Sequence, residues 1–189
     1  IGAYRGEWSK LLSSTSLKNK KFFLFEANEE NQNFLEKSGF KFFLNVLSDQ
    51  RKKVNFFSNL STGDSYLIEQ TSFYKENFKT IIKEAITLDE LVDREKIPLP
   101  NLIKIDTQGS ELDVLKGSKK TISQCSLIYL ECPIIEYNLK APNLNEYLDY
   151  LRSIEFFPLD ICEVHKIDNV LIQIDILFIR KNVLNKIYT

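Results

Sequence analysis

The chain has 189 residues, 43% of them hydrophobic, which is enough for one hydrophobic core and too few for two comfortable ones. The 25 Lys and Arg residues nearly balance the 26 Asp and Glu residues, and no basic block stands alone, so nucleic acid is a poor first candidate for a partner. Without a run of the roughly 20 apolar residues that cross a bilayer or a secretory signal, we expect a single soluble, cytoplasmic domain over residues 1–189.

The first residues predict a glycine turn of the kind that follows a strand. Gly2 and Gly6 lie four residues apart, and no strand precedes them in the chain. A first strand would lie in the middle of the sheet, where its loss would leave both neighbouring strands unpaired. We therefore expect residues before Ile1 in the native protein, and an N-terminal strand that is missing from this chain.

Helical and strand patterns then alternate through the first half of the chain. Helices are predicted over residues 7–17 and 28–37, and each is followed by a short buried strand, at residues 21–26 and 42–46. Residues 54–57 predict an extra strand.

Residues 58–79 show no clean period. A segment of this length is usually a functional cover or disordered, so we expect an insertion on the acceptor side. Two interpretations stay open for its aromatic residues, which either cover the acceptor or pack on the core: Tyr66, Phe73, Tyr74 and Phe78.

The second half continues the alternation. Helices are predicted over residues 88–92, 111–117 and 143–153, and strands over residues 80–87, 102–106, 126–131, 156–161 and 171–179. The last two strands are expected to pair as an antiparallel closing hairpin. The strand-helix-strand order predicts an α/β fold whose sheet is mostly parallel, with helices on both faces.

The cysteine and histidine content gives little support for a metal site. The three cysteines form no C-x-x-C pair, and one His cannot complete a Cys/His zinc pattern. We expect no metal, and we interpret the cysteines as reduced core residues: Cys125, Cys132 and Cys162.

In a doubly wound sheet, chemistry is expected at the carboxyl ends of the strands. Glu26 closes a predicted strand 20 residues after Gly6, a separation at which a carboxylate can accept hydrogen bonds from ribose hydroxyls. The pair indicates an adenosine-containing cofactor, against the alternatives of an ordinary turn and a solvated carboxylate. The spacing is not G-x-G-x-x-G, which disfavours a nicotinamide-dependent oxidoreductase.

Residues 88–91 followed by residues 102–117 resemble the signature of the FkbM family of methyltransferases. Further segments resemble the family in the same order: residues 1–3 with Gly6, 25–28, 47–49, 129–131 and 173–178. The resemblance implies a Rossmann-like fold that binds S-adenosylmethionine and transfers its methyl group, commonly to a hydroxyl oxygen of a sugar, glycan or other small molecule.

Carried onto this chain, the resemblance implies a donor site in which Glu26 holds the ribose, Asp49 lies near the adenine and Asp106 faces the methionine end. The cofactor turn would consist of Gly2, Ala3 and Gly6.

On the acceptor side, the candidates for a general base are Asp106, Glu131 and His165. Glu111 either supports the same site or complements a helix dipole. Gln108 stands where the family often has Glu. If that carboxylate contributes charge to the site, its loss weakens a metal-binding or acid/base role, whereas a purely structural turn would tolerate the amide. The alternative function is a catalytically silent, methyltransferase-like binding domain.

Overall fold

The computed structural model describes residues 1–15, 17–58, 63–70 and 78–187. Its α-helices are α1 Glu7–Ser13, α2 Gln32–Ser38, α3 Leu88–Glu95, α4 Glu111–Lys116, α5 Leu144–Ser153 and α6 Lys181–Leu184. Its strands are β1 Phe23–Glu26, β2 Lys41–Leu44, β3 Val46–Leu47, β4 Lys52–Ser58, β5 Lys79–Ile86, β6 Leu102–Ile105, β7 Leu127–Pro133, β8 Phe156–Ile167 and β9 Val170–Arg180. Two short 3-10 helices, Glu29–Asn31 and Thr121–Gln124, complete the described elements.

The strands form three hydrogen-bonded groups, with the orders β1-β2, β3-β5-β4 and β6-β7-β9-β8. Residues 1–3 lie between the first group and the third. The amide of Ala3 donates to the carbonyl of Phe25 at the end of β1 (3.0 Å), and the amide of Asp106 donates to the carbonyl of Ile1 (3.2 Å). The glycine turn at the start of the chain is thereby fixed to the carboxyl ends of both β1 and β6.

The fold is α/β as predicted, but the sheets are mixed. Among the described strands, three pairings are parallel (β1-β2, β3-β5 and β6-β7) and three are antiparallel (β4-β5, β7-β9 and β8-β9). The difference from a mostly parallel sheet arises because β4 folds back on β5 and because the closing hairpin is long. The predicted extra strand is part of β4. Phe73 and Tyr74 of the predicted insertion lie outside the described residues.

The closing hairpin is confirmed and is longer than predicted. Strand β8 continues to Ile167, and a two-residue turn leads into β9. The turn residues Asp168 and Asn169 have φ values of 48° and 67°, the positive values that a tight hairpin turn requires at both central positions. His165, which lies between the two predicted strands, is therefore a residue of β8.

The main core lies between the four-stranded group and helices α3, α4 and α5. Its fully buried members include Leu91, Ile105, Leu115, Ile128 and Leu151. Two of the cysteines are buried here as predicted, Cys125 and Cys132. The expectation for Cys162 was wrong, because this thiol lies on the exposed part of β8. Among the described residues, no helix has the length and apolar character needed to span a membrane.

Candidate functional site

A cavity of about 730 Å³ opens at the carboxyl ends of β1, β6 and β7. The turn at residues 1–4 forms one wall, and the β8-β9 hairpin forms another. Its volume lies within the range of about 300 to 1,000 Å³ that is typical of small-molecule sites. Three acids that the sequence places at strand ends line this cavity: Glu26, Asp106 and Glu131.

The first wall of the cavity depends on Gly2. Its φ is +69°, and a Cβ at this position would lie 1.6 Å from the carbonyl oxygen of Asp106. Only glycine permits so close an approach of the two backbone segments. Ala3 also lines the cavity, whereas Gly6 is buried and does not line it, and has its own positive φ at the start of α1. In the turn predicted to bind a cofactor, the Gly2 backbone therefore packs directly against the Asp106 backbone.

Glu26 is held by the backbone on both sides. Its Oε2 accepts a hydrogen bond from the amide of Tyr4 (2.6 Å), and its Oε1 accepts one from the amide of Asn28 (2.8 Å). Burial raises the pKa of this carboxyl, while the two amide bonds act in the opposite direction by favouring the charged form. Each carboxylate oxygen keeps a further lone pair, so Glu26 can accept hydroxyl donors from the cavity.

Asp106 and Glu131 form a coupled acid pair. Gln108 links them, since its Nε2 donates to Asp106 (3.0 Å) and to Glu131 (2.8 Å). Burial disfavours the charged form of Asp106, but hydrogen bonds from Glu131 and Lys104 outweigh burial and lower its pKa. Burial, and then the charge of Asp106, raises the pKa of Glu131 well above its ordinary value. The lowered pKa keeps Asp106 ionised at neutral pH, whereas the raised pKa of Glu131 favours its protonated form.

Tyr137 extends this acid pair towards the hairpin. Its hydroxyl lies 2.7 Å from Glu131 and 2.6 Å from the side-chain oxygen of Gln173 on β9. The hydroxyl has only one proton to donate, and the raised pKa of Glu131, which favours a protonated carboxyl, is consistent with this arrangement. Sequence analysis missed both Tyr137 and Gln173. Tyr137 lies in an irregular segment without a periodic signal, and only its aromatic character distinguishes it there.

Glu111 supports the turn that carries Asp106 and Gln108. Its Oε1 accepts hydrogen bonds from the amides of Thr107 (2.7 Å) and Gly109 (3.2 Å), and its Oε2 accepts one from the hydroxyl of Tyr147 on α5 (2.6 Å). The side chain is buried and does not line the cavity. Of the two roles considered for Glu111, support of the site through this turn fits the geometry.

Asp49 lies outside the set of residues that line the cavity. Its carboxylate accepts a hydrogen bond from Lys52 (2.8 Å) and one from Ser48 (3.1 Å), and these bonds lower its pKa against a desolvation effect that raises it. The neighbouring residues Val46 and Leu47 do line the cavity and give it an apolar border. The position of Asp49 near an adenine therefore stays a prediction.

His165, on β8, also lines the cavity. Its Nε2 is 3.4 Å from Asp175 on β9 and 3.6 Å from Glu163 on β8. The site thus brings together all three candidate bases, although Asp106 and Glu131 lie at the inner sheet edge and His165 lies on the hairpin. Asp175 was missed, but a charged residue within the apolar run of residues 171–179 is a signal that could have identified it.

Comparison with known proteins gives two matches. The family profile described as Methyltransferase FkbM domain matches residues 1–157. The chain is also 38% identical, over 48 residues, to the hexuronic acid methyltransferase AglP of Haloferax volcanii. This match covers 25% of the chain and only 20% of the length of that protein. No solved structure matches the chain.

Proposed function

The chain belongs to the FkbM family of methyltransferases, and we propose that it transfers a methyl group from S-adenosylmethionine to a hydroxyl of a sugar, a glycan or another small molecule. The observation that carries this proposal is the meeting of Gly2, Glu26 and Asp106 at one end of a cavity of suitable size. The hexuronic acid named for the relative supports a sugar as the acceptor class.

The donor would lie against the backbone of the first turn. Gly2 has no side chain and packs against the Asp106 carbonyl. A ligand can therefore approach the backbone of this wall closely. Glu26 would accept the ribose hydroxyls, and the ionised Asp106 would face the cationic methionine end. Asp49 would lie towards the adenine. The sheet order described above, with residues 1–3 between β1 and β6, supports a Rossmann-like arrangement of these parts.

The acceptor would lie between the acid pair and the hairpin. When bound, S-adenosylmethionine would supply a methyl group from a positively charged sulfur to the acceptor oxygen, and a base at the site would take the hydroxyl proton. The chain's contribution is to align the two reactants and to exclude water from the cavity. Trp8 and Tyr137 line the cavity and offer aromatic surfaces to a sugar ring.

The three candidate bases differ in their suitability. A general base works best when its pKa lies near the working pH. Asp106 has a lowered pKa, and the raised pKa of Glu131 favours its protonated form, so neither is well matched to this role. The remaining candidate for removal of the hydroxyl proton is His165, on the hairpin wall of the cavity.

The alternative is a methyltransferase-like domain that binds ligands without turnover. The ion pair between Lys104 and Asp106 favours this alternative, because the carboxylate that would face the methionine end is already paired with a cation. The two functions differ in one measurable product, since only the active enzyme forms S-adenosylhomocysteine in the presence of an acceptor.

Calorimetric titration with S-adenosylmethionine and S-adenosylhomocysteine tests the proposal. A hydrogen bond to a charged group contributes about 1.5 to 3 kcal/mol, so we expect Glu26→Gln to weaken donor binding by about 10- to 150-fold. Glu30→Gln is the matched control, because Glu30 is an exposed acid four residues further along the chain. A folded wild-type protein that binds neither compound would refute the proposed donor site.

A further inference from the structure

The β8-β9 hairpin carries a cluster of three potential metal ligands that the proposed donor site does not use. Glu163 and His165 lie two residues apart on β8, and Asp175 pairs with Glu163 directly across the hairpin. One ligand atom from each side chain lies within 4.8 Å of the other two. All three residues line the cavity, so the cluster faces the space in which an acceptor would bind.

The spacing of the cluster fits a metal ion better than it fits hydrogen bonds. The His165 Nε2 lies 3.4 Å from Asp175 and 3.6 Å from Glu163, which is long for a hydrogen bond between such groups. Two ligands of a tetrahedral ion with bond lengths of about 2.1 Å lie about 3.4 Å apart. The observed separations are therefore those that a shared ion would impose.

The cluster also contains polar atoms that lack hydrogen-bond partners. Among the described residues, Asp175 Oδ1 and His165 Nε2 are buried atoms to which no donor or acceptor makes a hydrogen bond. The Asp175 side chain is only 9% exposed. Buried polar atoms are nearly always satisfied by a protein group, water or an ion, so these two atoms indicate a missing partner.

Electrostatics gives a third and separate reason. Glu163 and Asp175 are carboxylates at directly opposed positions of an antiparallel pair, an arrangement that is destabilising for like charges. A bound cation would offset the repulsion. One imidazole nitrogen with two carboxylate oxygens suits divalent first-row metals such as Mn²⁺ and Zn²⁺.

We propose that Glu163, His165 and Asp175 bind a divalent metal ion at the acceptor end of the cavity. Three protein ligands leave coordination positions open, as in catalytic metal sites. The ligand set lies beyond residue 157, where the family match ends.

The role of the ion rests on the proposed function. An oxygen of the acceptor would occupy an open position, and the metal charge would promote loss of the hydroxyl proton. A ligated imidazole has no free lone pair at the bound nitrogen, so this assignment makes His165 a ligand and not the direct base.

Titration of the chelator-treated protein with Mn²⁺, followed by the electron paramagnetic resonance signal of the free ion, tests the site. We expect a single saturable ion per chain, displaced by Zn²⁺. Asp175→Asn and His165→Ala should each weaken Mn²⁺ binding by more than about tenfold. Asp160→Asn removes an exposed carboxylate from β8, the strand that carries His165, and this variant should bind Mn²⁺ as the wild-type protein does. Circular dichroism establishes that each variant is folded.

The absence of saturable Mn²⁺ binding to the wild-type protein would overturn the metal site, as would unchanged binding in both ligand variants. Calorimetry with S-adenosylhomocysteine on the same samples separates the two proposals. Mn²⁺ binding without nucleoside binding would refute the donor site and support the metal site. Nucleoside binding without Mn²⁺ binding would refute the metal site alone.

Discussion

Tyr147→Phe tests whether the buried Glu111 carboxylate maintains the turn beneath the acid pair. The substitution removes the hydroxyl that donates to Glu111 Oε2 at 2.6 Å and leaves the ring in place. Because a hydrogen bond to a charged group contributes about 1.5 to 3 kcal/mol, we expect the free energy of unfolding to fall by that amount. For a chain of this size, the melting temperature should fall by about 3 to 12 °C.

The pH dependence of this loss follows from the direction of the pKa shift. Burial raises the pKa of Glu111, while the Tyr147 hydrogen bond opposes the rise. A carboxyl whose pKa is higher in the folded state loses stability as pH rises from the unfolded pKa through the folded one. The variant raises the folded pKa further, so its deficit should be smaller at about pH 5 than at about pH 8.

Urea unfolding at both pH values measures the effect, and Tyr150→Phe is the matched control. Tyr150 lies on the same helix, and its hydroxyl has no hydrogen-bond partner among the described residues. Removal of that hydroxyl should leave stability unchanged or slightly raised. A loss for Tyr147→Phe below about 0.5 kcal/mol, equal at both pH values, would refute the role assigned to Glu111.

Gly117→Ala should destabilise the fold by about 1 to 3 kcal/mol or more, because the new Cβ would lie 2.1 Å from the carbonyl oxygen of Ser48. Gly39→Ala, which meets no atom within 4 Å and carries only the strain of a positive φ, should cost about 1 kcal/mol; an equal or larger loss at Gly39 in urea unfolding would contradict the contact. Glu131→Gln removes a carboxyl whose pKa is raised in the folded state. As pH rises from the unfolded pKa through the raised folded pKa, the wild-type protein should lose stability that the Gln variant keeps; the same pH dependence of urea unfolding in both proteins would contradict the raised pKa.

The elements that the sequence predicted best are those in which local pattern and tertiary packing agree. Strands β1, β6 and β7 are short apolar runs, and helix α5 has both a clear helical period and a capping box at Asn143 and Glu146. Because parallel strands present their carboxyl ends at one edge, the positions of Glu26, Asp106 and Glu131 along the chain were sufficient to expect them near one another.

The parts that the sequence did not predict depend on contacts between distant segments. Strand β8 continues past its predicted end at Ile161. This continuation is largely exposed, so no buried apolar pattern signals it in the sequence. Asp168-Asn169 is also not the Asn-Gly or Asp-Gly pair that signals a hairpin turn. The placement of His165 opposite Asp175 follows only from the register of the completed hairpin. The raised pKa of Glu131 likewise follows from burial beside Asp106, which no sequence pattern encodes.

We propose that the turn at Gly2 and the end of β1 bind the adenosine part of the donor. The most direct test is mapping of amide chemical shifts in isotope-labelled protein during titration with S-adenosylhomocysteine. We expect saturable shifts that concentrate at Ala3, Asn28 and Thr107, whose amides lie beside the proposed contacts. The absence of shifts in a folded protein, or shifts confined to regions away from this end of the cavity, would contradict it.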